Sequence, residues 1–397
     1  MICRARASIA TVIASFLAMF CSGILLSQAE PARAPVGSNA AESSPLNISL
    51  SPFSPYIEIR NGRKTVNFDL IVQNRSAITY QLVCIRLKIY DRNGRLEIEK
   101  ELNENGNPPA LEVIGPRLLV PGGILDIYQP FYSFEPEIDL HRMQFELLFM
   151  RQGDPLPPVI FTSDASAIVE VLPRQYTPAG YCLPLHGLLV VHDGHDYYSH
   201  HRRYNLVKRF EADPNSAVSA NLYAYDFMKV TPDGALFRGD PTSKANWLTY
   251  GLPIFAPAPG IVVDSVSDVP ENSFAANGDA QIPSSAEAVD PMGFGNHVTI
   301  LHTDGRVSWL LHMQPGSVAV VPGEHVRAGQ FLGKVGFSGD SLFPHLHFNV
   351  TDGSRYPSQG VPSYFKNFVR ELGSRNLAES FGQVDTGDLI HSLNACK

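Results

Sequence analysis

The stretch Gly333-Lys-Val-Gly-Phe-Ser-Gly-Asp-Ser-Leu-Phe-Pro-His-Leu-His-Phe-Asn-Val350 joins a glycine-rich turn to a short apolar strand. Residues two apart in a strand project from the same face. His345 and His347 therefore point one way, while Leu346 and Phe348 point into an apolar interior. Two neutral imidazoles side by side are the beginning of a zinc site. Such a pair also occurs by chance on protein surfaces, so its meaning depends on the rest of the chain.

Short alternating apolar segments run along most of the chain and predict a mainly β protein. Between residues 47 and 173 they are separated by turn signals such as Asp91-Arg-Asn-Gly94, which predicts an immunoglobulin-like β-sandwich. This region shows no catalytic cluster, and we interpret it as a spacer or docking module. Residues 174–375 predict a second domain built on an antiparallel β-sheet, and residues 376–397 a C-terminal tail.

Two segments of the second domain are not strand-like. Residues 268–293 are polar and aperiodic, and we expect this long loop to wall a groove. Phe365, Phe368, Val369 and Leu372 follow helical spacing. They predict a short C-terminal helix that begins near Ser363 and ends near Gly373.

The N-terminus predicts export from the cytoplasm. Residues 1–29 combine a basic start, an apolar run and a small-residue site, as in a cleaved secretory signal peptide. The alternative is an uncleaved membrane anchor. Residues 30–46 form a flexible leader, and we expect no stable membrane insertion after cleavage. An oxidising compartment would permit a Cys182–Cys396 disulfide. The net charge of −8 argues against a nucleic-acid binder.

Three further groups are candidates for chemistry. Asp226 lies in the aromatic strand Tyr223-Ala-Tyr-Asp-Phe227, where a carboxylate is costly unless it is paired, hydrogen-bonded or bound to a metal. A structural aspartate at a turn is the alternative. His312 ends an apolar strand, where a core or edge histidine is more common than a catalytic one. His200 and His201 are adjacent and precede the aspartate strand, either as ligands or as polar loop residues.

Together these residues resemble the lysostaphin-type (LytM-like) zinc metallopeptidases, which cut peptidoglycan cross-bridges. The resemblance covers residues 183–356, under half of the chain. Its motifs are Tyr223-Ala-Tyr-Asp-Phe227, Pro253-Ile-Phe-Ala-Pro-Ala-Pro-Gly-Ile-Val262, Gly295-Asn-His-Val-Thr-Ile-Leu-His302, Leu311-His312, Val326-Arg-Ala-Gly-Gln330 and Pro344-His-Leu-His-Phe348.

The resemblance implies an antiparallel β-sheet domain with one zinc ion held by a histidine, an aspartate and a histidine. Carried over to this chain, Asp226 and His347 are ligands, and we prefer His201 to His200 as the first. In the family the first histidine lies four residues before the aspartate, whereas here residues 202–225 intervene.

This insertion leaves His192 and His195 as further candidates for the first ligand. The resemblance also implies that His312 and His345 are the catalytic, non-ligand histidines. The chain has no His-Glu-x-x-His motif. One of these two histidines is therefore expected to accept the proton of the attacking water, or to stabilise the oxyanion.

The sequence thus predicts a secreted or periplasmic zinc endopeptidase that hydrolyses peptide cross-links of peptidoglycan. The alternative is a non-catalytic or latent cell-wall module that activates a partner hydrolase. A metallopeptidase acting on proteins is a third possibility. A regulatory protein partner is compatible with each of these.

Overall fold

The computed structural model describes residues 44–155, 163–203, 218–355 and 357–392. The predicted signal peptide and residues 30–43 of the predicted leader lie outside the described residues. Cys182 forms a disulfide bond, and Cys396, its predicted partner, also lies outside them. Across the described ranges, no helix is long and apolar enough to cross a membrane.

The N-terminal β region, which we define as residues 44–175, contains twelve strands within its described part. They are β1 (Leu46–Ser51), β2 (Tyr56–Arg60), β3 (Arg63–Val66), β4 (Asp69–Asn74), β5 (Tyr80–Tyr90), β6 (Leu96–Asn103), β7 (Leu118–Leu119), β8 (Ile124–Tyr128), β9 (Ser133–Phe134), β10 (Arg142–Arg151), β11 (Ala165–Val171) and β12 (Arg174–Gln175). A 3-10 turn spans Ala110–Val113.

These strands form three sheets around one apolar core. The sheet orders are β1-β4-β8, β11-β10-β5-β6 with β7 beside β5, and β12-β2-β3-β9. The alternating residues of β5 and β10, among them Leu87 and Phe145, are fully buried in this core. The strand prediction is confirmed here. The specific immunoglobulin-like arrangement and the domain boundaries stay predictions.

The C-terminal part of the chain is also built mainly from strands. They are β13 (Gly180–Tyr181), β14 (Leu189–Asp193), β15 (Tyr225–Lys229), β16 (Pro253–Phe255), β17 (Gly260–Val266), β18 (Ser273–Phe274), β19 (Ala280–Gln281), β20 (Asn296–Leu301), β21 (Val307–Met313), β22 (His325–Val326), β23 (Phe331–Lys334), β24 (Leu346–Thr351), β25 (Tyr364–Leu372), β26 (Arg375–Gly382) and β27 (Leu389–Ser392). Two 3-10 turns span His201–Arg203 and Lys244–Asn246.

Most of these strands belong to one sheet with the order β13-β25-β27-β14-β15-β24-β21-β20-β17-β22, and β26 pairs with β25. The predicted antiparallel sheet is confirmed. Tyr225, Phe227, Leu346 and Phe348 are fully buried in a second core beneath it. Their polar neighbours therefore lie on the opposite face of β15 and β24.

The predicted C-terminal helix is wrong, because Tyr364–Leu372 is strand β25. Asn367 has a left-handed φ of 51°, and the ladder to β26 omits it. This local break lets Phe365 and Phe368 both enter the core although they are three residues apart, which imitates helical spacing. Gly373, with φ of 62°, forms the turn into β26 instead of ending a helix.

Two other segments differ from their sequence descriptions. Residues 268–293 contain the strand pair β18–β19 and a short helix, α1 (Ser284–Val289). The segment expected to be a tail supplies strand β27 and most of β26 to the large sheet. The pairs β18–β19 and β25–β26 are local hairpins, whereas β27 pairs with β14, which is distant in the sequence.

Candidate metal centre

Asp226 and His347 face each other on neighbouring strands. They are direct partners in the antiparallel register of β15 and β24, and such cross-strand pairs project from the same face. His347 Nδ1 lies 3.1 Å from Asp226 Oδ1, and both side chains are buried. The backbone ladder therefore sets this carboxylate–imidazole pair.

His201 reaches the same point from outside the sheet. It begins a 3-10 turn, and its Nε2 lies 3.5 Å from Asp226 Oδ1. Its Nδ1 lies 2.6 Å from Asp193 Oδ2. The buried imidazole thus spans two carboxylates, and its ring centroid is 4.8 Å from that of His347.

The other candidates for the first ligand are placed elsewhere. The His200 side chain is 67% exposed and contacts Asp193, not Asp226. His195 is fully buried against Glu58, with its Nε2 3.4 Å from Glu58 Oε2. The register of β14 and β15 shifts between Val191 and Asp193. His192 is the bulged residue and is exposed, as expected where a β-bulge redirects side chains.

Asp193 is the residue that sequence reasoning missed. The same bulge sets Asp193 opposite Asp226. Ser199 Oγ donates to its carboxylate at 2.6 Å, and the backbone N–H groups of His200 and His201 donate at 3.1 Å each. Burial alone would raise the pKa of Asp193, but hydrogen bonds from the two histidines hold it well below its usual range. The available signal was an aspartate followed by Gly194 at the end of an apolar strand.

His312 and His345 are held in matching tautomers by carbonyl oxygens. His312 Nδ1 donates to Ser338 O at 2.8 Å, and His345 Nδ1 donates to Phe343 O at 2.8 Å. Because a carbonyl oxygen only accepts, each ring carries its proton on Nδ1 when neutral and keeps a lone pair on Nε2. The two ring centroids lie 4.9 Å apart.

The pKa values of the buried histidines diverge. Burial lowers the pKa of His312 far below its ordinary value, and the neighbouring histidines add to the effect. Burial also lowers the pKa of His347 to about 4. For His345, burial acts downward but the charge of Asp226, whose Oδ1 lies 3.2 Å from Nε2, raises the pKa.

The backbone at His312 adopts an uncommon conformation, with φ of 63°. Non-glycine residues in this region carry about 1–3 kcal/mol of strain, which often occurs at functional sites. The Gly336 backbone N–H donates to the His312 carbonyl at 3.0 Å. A Cβ at Gly336 would meet Gln314 N at 2.4 Å. The glycine of the sequence motif therefore permits the close approach that holds the strained histidine.

A cavity of about 300 Å³ lies above these side chains. Its apolar lining includes Leu342, Phe343 and Met292, and its polar lining includes Asn221 and Asp340. Met292 and the adjacent Gly293 end the 268–293 segment, which therefore forms part of the wall as expected. The described lining residues all fall between His200 and His347.

The donor atoms around Asp226 fit a zinc ion. Ligands at about 2.0–2.2 Å from a tetrahedral zinc lie about 3.3 Å from one another, and the two separations from Asp226 Oδ1 are 3.1 and 3.5 Å. His201, Asp226 and His347 supply two imidazoles and one carboxylate.

Two other groups among the described residues have donor atoms equally close together. One consists of His312, His345 and His347, and the other of Asp193, His200 and His201. Each shares a histidine with the set around Asp226. The exposed His200 belongs only to the second group. The division of these residues into ligands and catalytic groups stays a prediction.

Comparison with known proteins identifies one segment of the chain. Residues 247–358 match Peptidase family M23. Lysostaphin of Staphylococcus staphylolyticus is 40% identical over 57 residues, which are 14% of this chain and 12% of that protein. Glycyl-glycine endopeptidase ALE-1 of Staphylococcus capitis is also 40% identical over 57 residues, which are 14% of this chain and 15% of that protein. The chain thus spans a small fraction of the length of the curated relatives that it matches.

Among solved structures, the catalytic domain of lysostaphin from Staphylococcus simulans aligns with 22% identity and a TM-score of 0.19. The alignment covers 32% of this chain and 86% of that one. The family match includes His312, His345 and His347 but excludes His201 and Asp226. His201 and Asp226, whose separation departs from the family spacing, therefore lie outside the matched segment.

Proposed function

Because the chain carries a segment of peptidase family M23, we propose that it is a zinc endopeptidase that hydrolyses peptide cross-links of peptidoglycan. The observation that supports this most directly is the convergence of His201, Asp226 and His347 on one point beside two further buried histidines. The resemblance to lysostaphin-type peptidases implies the substrate class, and one relative is named a glycyl-glycine endopeptidase.

The proposed ligands are His201, Asp226 and His347, and the proposed catalytic residues are His312 and His345. A zinc ion held by the ligands would supply Lewis acidity toward a peptide carbonyl and would acidify water. In His312 and His345 the hydrogen bond that orients the ring is made by Nδ1, which leaves Nε2 for proton transfer. Together they can take up the proton of the attacking water and deliver a proton to the departing amine.

The cavity supports a peptide substrate. Its apolar side, with Leu342 and Met292, can pack against the chain of a bridge or stem peptide. Asn221 and Asp340 can orient amide or amine groups of the same peptide. The apolar residues of this wall would limit the access of bulk water to a bound peptide.

We further propose that the protein acts outside the cytoplasm, either secreted or in the periplasm. The basic and apolar character of residues 1–29 supports export. The disulfide bond of Cys182 supports an oxidising compartment, since structural disulfides are rare in the cytosol. Peptidoglycan, the proposed substrate, also lies outside the cytoplasm.

The decisive experiment digests purified peptidoglycan with the zinc-loaded protein, with and without a chelator. We expect chelator-sensitive release of fragments, whose masses identify the bond that is cleaved. His312→Ala and His345→Ala should each retain zinc and lose about 10²–10⁴ in rate, as expected for acid–base residues. His325→Ala, at an exposed strand residue, is the matched control.

Two outcomes would contradict the proposal. A zinc-loaded protein that releases no fragments from peptidoglycan would instead fit the non-catalytic cell-wall module. Release that persists at full rate in the chelator-treated, zinc-free protein would exclude zinc from the reaction.

A further inference from the structure

The turn that carries His201 is anchored on the N-terminal β region. The next residue, Arg202, is 1% exposed, and its guanidinium forms an ion pair with the carboxylate of Asp69, which is also 1% exposed. Arg202 Nη2 also donates to the Phe68 carbonyl oxygen at 2.8 Å. The residue adjacent to the proposed first ligand is thus bound to a different part of the chain.

A second set of contacts reaches the same turn. Tyr128 Oη donates to the Arg203 carbonyl oxygen at 2.5 Å. The guanidinium carbons of Arg202 and Arg203 lie 5.3 and 4.9 Å from the centroid of the Tyr128 ring, within the range of cation–π attraction. Four residues before His201, the Tyr197 ring stacks on Tyr132 with centroids 4.1 Å apart.

The anchor itself is part of a regular sheet. Asp69 and Tyr128 are direct partners in the antiparallel register of β4 and β8. Their positions are therefore set by a backbone ladder, as those of Asp226 and His347 are in the other sheet. The turn at His201–Arg203 has only three residues, so it lacks a hydrogen-bond ladder that would set its own position.

These contacts bear on metal binding because a zinc site tolerates ligand displacements of only about 0.2 Å. Arg202 follows His201 in the same three-residue turn, and its guanidinium donates to both the Asp69 carboxylate and the Phe68 carbonyl oxygen. A planar guanidinium held in this way fixes direction as well as distance. Displacement of the guanidinium would therefore displace the imidazole.

We propose that Asp69 is a positioning residue for the metal centre. Through Arg202 it holds His201 against Asp226, so the N-terminal β region is a structural component of the zinc site. This replaces the interpretation of that region as a spacer or docking module. The inference rests on the proposed function, because it assumes that His201 is a zinc ligand.

The test uses the full-length protein, depleted of zinc and titrated against a chromophoric chelator. Asp69→Asn and Arg202→Met should each weaken zinc affinity about 10- to 100-fold, as loss of an outer-shell partner does. The visible spectrum of the cobalt-substituted protein should change in the same variants, because it reports ligand geometry. Arg86→Met is the matched control, since Arg86 pairs with Glu101 and Glu146 inside the N-terminal β region.

A single substitution leaves one buried charge unpaired and can prevent folding. The double variant Asp69→Leu/Arg202→Met removes both charges and keeps apolar volume, and circular dichroism verifies its fold. We expect the same loss of zinc affinity in this folded variant. Zinc affinity within twofold of the parent, with an unchanged cobalt spectrum, would overturn the inference.

The variant His201→Ala distinguishes a failure of the positioning role from a failure of the proposed ligand set. If it loses zinc while the folded Asp69 and Arg202 variants do not, only the positioning role is wrong. If His201→Ala binds zinc as the parent does, the proposed ligand set is wrong and the positioning role fails with it.

Discussion

The two sides of the candidate metal centre are positioned by different means. Asp226 and His347 lie on paired strands, where the backbone register brings them together whatever their neighbours are. His201 lies on a three-residue turn and depends on side-chain bonds to Asp193 and, through Arg202, to Asp69. A site can therefore combine ligands that the sheet holds directly with a ligand that a network of buried charges must hold.

The difference predicts unequal sensitivity to substitutions outside the ligand set. Strand-borne ligands should tolerate changes in surrounding side chains, because backbone hydrogen bonds survive such changes. The turn-borne ligand should respond to the loss of a single carboxylate. The first of the three measurements below tests this prediction, and the other two examine the strand side and the loop side of the site separately, in order of decreasing expected effect.

The largest effect is expected at Asp193. Asp193→Asn removes the charged acceptor beside His201 Nδ1, and we expect zinc affinity to fall about 10- to 100-fold. Asp196→Asn is the control, because Asp196 lies in the same loop and accepts from the Tyr198 and Thr386 backbones. Zinc titration measures both variants. Equal affinities in the two would mean that the turn holds His201 without Asp193.

A smaller effect is expected at the strand end, where His312 carries a left-handed backbone. His312→Gly and His312→Ala both remove the imidazole, but only glycine relieves the strain. We expect the glycine variant to be more stable by about 1 kcal/mol. Denaturant unfolding of the zinc-free proteins measures the difference.

The matched control for this pair is Asn376, an exposed residue of β26. There the glycine variant should be the less stable of the two, since glycine weakens an ordinary strand. If alanine is equally stable or more stable at His312, the backbone at the strand end is not strained.

The smallest effect is expected from His195, which contributes to the pH dependence of the unfolding free energy. Burial lowers its pKa below the ordinary 6.5, although Glu58 acts upward. Below about pH 6.5 the unfolded chain therefore binds more protons than the folded one, and stability falls as pH falls. Above that pH, His195 is neutral in both the folded and the unfolded chain, so its contribution to stability no longer changes with pH.

His195→Gln should accordingly reduce the loss of unfolding free energy between pH 7.5 and pH 5.5. Denaturant unfolding of the zinc-free protein at both pH values measures this loss. His325→Gln, at an exposed residue, is expected to leave it unchanged. A variant at His195 with the parent's pH dependence would show that another group is responsible.

Strand-borne features were predictable because a strand has a two-residue period. The opposite faces of His347 and Phe348, and of Asp226 and Phe227, follow from that period alone, and the buried aromatic core confirms them. The failed helix at Tyr364–Leu372 shows the limit of the method. One left-handed residue, Asn367, changed the spacing of the buried positions and produced a helical pattern in a strand.

The sequence by itself determined the mainly β character, the shared face of His345 and His347, and the need for a partner at Asp226. These are local consequences of alternation and of the cost of an unpaired carboxylate. Only the tertiary structure decided that His201, and not His200, lies beside Asp226. It also decided that Asp193 contacts His201 and that Asp69 pairs with the neighbouring Arg202. Those contacts join residues from separate strands through a β-bulge and a buried ion pair. Neither the β-bulge nor the ion pair can be predicted from the spacing of residues in the sequence, because both depend on which strands become neighbours.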